Sequence, residues 1–82
     1  MTTPDQTDVN RIVEIVLGRR GVRPEDDLMR ELGAESMDIV NIARLIEEQF
    51  GVFIPEERLA DLRSPADILA VIHEKAHGSD IA

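Results

Sequence analysis

The chain has 82 residues, a formal net charge of −8 and no cysteine, which describes one small domain with no disulfide framework and no thiol of its own. Its excess of carboxylates argues against nucleic acid as a partner and favours basic protein surfaces. No apolar run is long enough to span a bilayer, and the opening MTTPDQTD has nothing of a signal peptide, so no membrane partner and a cytoplasmic location are expected.

In chain order, DVNRIVEIVLGRRG comes first. Val9, Ile12, Val13 and Val16 recur at i, i+3, i+4 and i+7, one face of a helix, with start signals at Asp5, Thr7 and Asp8 and stops at Gly18 or Gly21. GVRPEDDLMRELGAE lacks sustained periodicity and is punctuated by Pro24 and Gly33, so it predicts a long structured loop with Leu28 and Leu32 pinned to the core. SMDIVNIARLIEEQF predicts the clearest helix, with Ile39, Ile42, Ala43, Ile46 and Phe50 on its apolar face and Gly51 as its stop. VFIPEERLADL predicts a short helix with Pro55 in its first turn. SPADILAVIHEKAHG opens on Ser64 as N-cap, Pro65 at N1 and Asp67 reaching back, and buries Ile68, Leu69, Ile72 and Ala76. The structured part is expected over about 5–76, with 78–82 a frayed tail. The sum is an all-α fold, a small antiparallel four-helix bundle of three longer helices and one short one with a long first loop.

Two stretches carry candidate chemistry. In LGAESMDIV, Ser36 reads as an N-cap that lacks a capping-box partner, because Ile39 stands where Glu or Gln would sit. Met37, Asn41, Arg44 and Glu48 share the face opposite the apolar one. An exposed Met37 beside Ser36, bordered by Glu35, Asp38, Glu47 and Glu48, has the character of a docking spot. The second stretch, HEKAH at 73–77, matches the zinc pattern H-E-x-x-H, with His73 and His77 at i, i+4 and Glu74 as a base. Only five residues follow His77, too few for a third ligand and a cleft, so no metal site is expected; histidines near a helix C-terminus suit its dipole.

LGAESMDIV, EEQFGVFIPEE and LRSPADILAVI together resemble an acyl carrier protein, over about Leu28 to Ile72. The family's Asp-Ser-Leu attachment motif reads Glu35-Ser36-Met37 here, after Gly33-Ala34. The resemblance implies a carrier, not an enzyme, and Met1 with the short tail makes a freestanding, monomeric chain the expectation. Ser36 would carry 4′-phosphopantetheine, installed from coenzyme A by a phosphopantetheinyl transferase. It also implies partner contacts at Glu35, Met37, Asp38, Asn41, Arg44, Glu47, Glu48 and Glu56, facing basic surfaces of acyl-loading, condensing and modifying enzymes. An acyl pocket would be lined by Ile39, Ile46, Ile54, Leu59, Leu62 and Ile68. Leu59 is bulkier than the alanine common in fatty-acid carriers, which would shorten that pocket. Asn41 and Arg44 interrupt a face that is usually acidic or apolar. They point away from fatty acid biosynthesis and toward a dedicated partner set, as in polyketide or other secondary-metabolite biosynthesis.

Two alternatives stand beside this reading. An aminoacyl or peptidyl carrier shares the fold and the arm but usually has glycine at the position of Ala34. A helical interaction module without a prosthetic group would use Ser36 as a cap only. Biotinyl and lipoyl carriers need a lysine on a hairpin turn, whereas Lys75 falls in a predicted helix.

Overall fold

A computed structural model describes the backbone of residues 3–78 and the side chains of 3–75. Its elements are α1 (Gln6–Leu17), α2 (Ser36–Phe50), a short 3₁₀ helix η1 (Glu56–Asp61) and α3 (Pro65–Gly78), with no strand among the described residues. Helix α1 packs against both α2 and α3, and η1 bridges α2 and α3 at the side. Of the tail expected at 78–82, Gly78 still belongs to α3, and 79–82 lie outside the described residues, as do the side chains of Ala76 and His77.

Local sequence explains each boundary. Asp5 caps α1: its carboxylate accepts the Asp8 N–H at 2.9 Å, and Asp8 accepts the Asp5 N–H at 3.0 Å, a reciprocal capping box. Pro4 before the cap and Val9 after it are both buried, the positions of a hydrophobic staple. Gly18 and Gly51 end α1 and α2 in the left-handed conformation, at φ of 65° and 70°, where a Cβ is costly. Ser64 Oγ accepts the Asp67 N–H at 3.2 Å, as the sequence predicts, though no return bond from Asp67 is made among the described residues. Pro55 stands one residue earlier than expected: its backbone is extended, and it precedes η1 instead of entering the first turn.

The core gathers Val9, Ile12 and Val13 of α1, Ile39, Ile42, Ala43 and Ile46 of α2, and Ile68, Val71 and Ile72 of α3. Full burial of a side chain of this size stabilises by about 1.5–3 kcal/mol. Val16, Phe50 and Leu69, expected inside, are only partly buried against this cluster. Val71 takes the inner position that a strict reading of the α3 pattern leaves out.

Candidate functional site

The first loop builds the platform on which α2 begins. Asp27 organises it: its Oδ1 accepts the Arg30 N–H at 2.8 Å, its carbonyl accepts the Glu31 N–H at 2.9 Å, and its own N–H is held by Glu31 Oε1 at 2.9 Å. Leu28 is fully buried, donates its N–H to the Arg63 carbonyl at 2.9 Å and accepts the Ala34 N–H at 2.8 Å. Leu32, expected in the core, is half-buried. Gly33 reverses the chain at φ 73° with open space around a would-be Cβ, so only its backbone freedom is needed there. Ala34 then packs into the core, which fixes where α2 starts.

That start lies one residue before the expected position. Glu35 is the N-cap, extended at φ −102°, ψ 169°, and Ser36 is already helical at N1. The N3 residue is therefore Asp38, not Ile39, and its Oδ2 accepts the Glu35 N–H at 2.8 Å. The sequence reading of Ser36 as the cap is corrected by this one-residue shift. The reciprocal contact onto the Asp38 N–H comes from the Glu35 backbone carbonyl, at 2.9 Å. Ser36 is exposed, and its hydroxyl enters no hydrogen bond among the described residues. The N–H groups of Ser36 and Met37 belong to the unpaired first turn, at the positive end of the helix dipole.

Beside Ser36 runs an apolar groove of about 210 Å³, lined by Met29, Ile39, Val40, Leu59 and Ala60. A second groove, about 410 Å³, continues along Met29, Ile39, Leu59 and Leu62 to Arg63. A third, about 330 Å³, lies between α2 and η1 and is lined by Ala43, Arg44, Glu47, Phe53, Ile54 and Leu59. Leu59, half-buried, borders all three. Of the residues expected to line an acyl pocket, Ile39, Ile54, Leu59 and Leu62 meet these grooves. Ile46 and Ile68 are fully buried and line none of the three. Met29 and Phe53, not foreseen, are large apolar side chains left 53% and 62% exposed. Met29 carried no signal because the loop has no period; Phe53 follows a helix stop and lies outside any repeat.

Of the residues expected to form a docking face, all but one are exposed. Met37 is 67% exposed, and Glu35, Asn41, Arg44, Glu47, Glu48 and Glu56 are all exposed, with Asp38 half-buried by its capping role. Arg44 makes no ion pair with Glu47 or Glu48 among the described residues. It borders the α2–η1 groove instead. In HEKAH, Glu74 is engaged by Arg58, whose guanidinium donates at 2.7 and 3.1 Å and holds that carboxyl below its usual range. His73 is exposed, and the His77 side chain lies outside the described residues.

Comparison with known proteins agrees with this geometry. The family model described as "Phosphopantetheine attachment site" matches residues 8–72. An acyl carrier protein of Helicobacter pylori is 36% identical over 53 residues, which is 65% of this chain and 68% of that protein. One from Syntrophobacter fumaroxidans is 36% identical over 63 residues, 71% of this chain and 78% of that protein. The matched segment holds the whole serine-bearing turn, and carriers of this kind work with a phosphopantetheinyl transferase and acyl-processing enzymes: the chain belongs to the acyl carrier protein family, a carrier and not an enzyme, with 4′-phosphopantetheine from coenzyme A as its prosthetic group.

Proposed function

We propose that Ser36 is the attachment residue and that the whole chain works as one monomeric carrier domain in the cytoplasm. The observation that carries this is the position of Ser36: exposed at N1, relieved of capping by Glu35 and Asp38, and next to an apolar groove. These residues fit the group. When bound, it supplies the thiol that the cysteine-free chain lacks, on which acyl units are held as thioesters. The chain's own residues contribute presentation. The unpaired N–H groups of Ser36 and Met37 suit a phosphate at the helix start. The carboxylates of Glu35 and Asp38 oppose a phosphate lying flat on the surface and favour an arm directed outward. The groove along Met29, Ile39 and Leu59 gives an acyl chain an apolar surface within the same neighbourhood.

Partner choice follows from the docking face. Exposed Glu35, Glu47, Glu48 and Glu56 attract basic enzyme surfaces, while Asn41 and Arg44 break the acidic pattern. With no partner on its own helix among the described residues, Arg44 is available to meet an acid or an aromatic ring on a cognate enzyme and to repel a generic basic one. This supports a dedicated partner set, as in polyketide or other secondary-metabolite biosynthesis, over the general fatty-acid enzymes.

Two experiments test the reading. Incubation with coenzyme A and a promiscuous transferase should add one prosthetic group to the wild type and none to Ser36→Ala. Arg44→Glu should improve turnover with a generic fatty-acid enzyme and impair it with the cognate one, chiefly through a salt-dependent association rate. Equal responses from both enzymes would remove Arg44 from the specificity argument.

A further inference from the structure

The segment carrying η1 is fastened at its ends and loose between them. Ile54 before it and Leu62 after it are buried, and the next residue, Arg63, is tied to the first loop through its carbonyl and the Leu28 N–H. Between these anchors η1 contributes no fully buried side chain; Arg58 and Leu59 are its half-buried residues. One side chain ties η1 directly to α3. The Arg58 guanidinium spans Glu74 of α3 in a two-pronged contact, Nη1 to Oε1 at 2.7 Å and Nη2 to Oε2 at 3.1 Å, and its Nε donates to Asp61 Oδ2 at 2.8 Å. Three donors on two carboxylates use the planar fork that arginine has and lysine lacks. Among the described residues this is the only ion pair joining two helices. The Arg58 side chain is 24% exposed, so it lies partly under its neighbours instead of waving in solvent.

The neighbour of Arg58 in sequence is Leu59, the one residue that borders all three grooves. Any displacement of η1 moves Leu59 and changes all three together. We propose that Arg58 is a positioning residue that latches η1 onto α3 through Glu74, and that release of this latch opens the Leu59-bordered grooves to apolar cargo. The cargo half of this statement rests on reading the grooves as the acyl-binding surface. The latch half does not. The plain alternative is an exposed ion pair with little effect on anything.

The test uses the unmodified chain, so it stands whether or not Ser36 carries the arm. Amide hydrogen exchange is followed in the wild type, Arg58→Gln, Glu74→Gln and the double variant, alongside binding of the neutral apolar dye Nile red. A latch requires that η1 amides, including those of Arg58 and Leu59, lose protection by about 10-fold while α1 and α2 change by less than about 2-fold, the pattern of local opening. It also requires that Nile red fluorescence rises in both single variants, and that the double variant resembles Arg58→Gln, because Glu74 acts only through Arg58 whereas Arg58 also holds Asp61. Protection lost equally from every helix would make the pair an ordinary contributor to global stability. Unchanged η1 protection, unchanged dye binding or additive effects would each overturn the proposal.

Discussion

Truncating Leu59 separates a groove wall from a core residue. A fully buried leucine or isoleucine cut to alanine loses about 2–5 kcal/mol, through transfer of the lost methyl groups and the cavity left behind. Leu59 is half-buried and borders three grooves that open to solvent, so roughly half of the transfer contribution applies and little closed cavity is created. The expected cost of Leu59→Ala is about 1 kcal/mol. Ile46→Ala, at a residue with no exposure, is the internal reference at about 2–5 kcal/mol. Urea unfolding reads both. With a slope of about 1 kcal/mol/M for a domain of this size, the midpoint should fall by about 1 M for Leu59→Ala and by at least twice that for Ile46→Ala. The same truncation should widen the grooves that Leu59 borders, so longer acyl thioesters on the loaded chain should hydrolyse more slowly than on the wild type. A Leu59→Ala cost equal to that of Ile46→Ala would place Leu59 in the core and refute the groove assignment.

Three further outcomes are expected. Ser36→Ala should change stability by less than about 0.5 kcal/mol because Ser36 caps nothing, whereas Asp38→Ala should cost about 1 kcal/mol by leaving the Glu35 N–H unpaired; thermal unfolding of both compares them. Gly33→Ala should cost about 1–2 kcal/mol through its positive φ alone, with Gly33→Asn milder, and equal unfolding curves for wild type and Gly33→Ala would refute the turn assignment. Asp26, buried in the first loop, has its carboxyl held below the usual range chiefly by the Arg23 backbone N–H, against the opposing effect of burial, with the Arg23 guanidinium adding to the lowering. A depressed carboxyl contributes stability that is present above its ordinary value of about 4 and is lost as pH falls through its lowered one. Asp26→Asn should therefore flatten the acid side of the stability profile below about pH 4, and an unaltered slope there would count against the Asp26 contact.

Helix identity was legible in the chain because three stretches carry an apolar face at helical spacing and end on glycine or open on a capping residue. The faces of α1 and α2 were readable nearly residue by residue, since Val9, Ile12, Val13, Ile39, Ile42, Ala43 and Ile46 all lie buried. What was not legible depends on contacts that leave no periodic pattern in the sequence. The burial of Val22 and Asp26 has no periodic signature; it follows from Glu14 accepting the Val22 N–H and from Arg23 engaging Asp26 within a loop folded over the core. The exact start of α2 lies one residue before the position that residue preference selects, because Ser36 is the better cap by type. The loop anchored through Leu28 and Ala34 instead sets the frame, and Asp38 completes it. The Ser36 neighbourhood could be found from its motif. The division of the apolar surface into three grooves, with Ile46 and Ile68 behind them, needed the position of η1, which its short sequence does not fix.

The most direct test of the central claim locates the modification on the chain. Trypsin cleaves after Arg30 and Arg44, releasing residues 31–44, ELGAESMDIVNIAR, in which Ser36 is the sole hydroxyl-bearing residue. After treatment with coenzyme A and an active transferase, tandem mass spectrometry should find the phosphopantetheine increment on this peptide and on no other. An unmodified 31–44 peptide, or an increment on the peptide that contains Ser64, would contradict the assignment of Ser36.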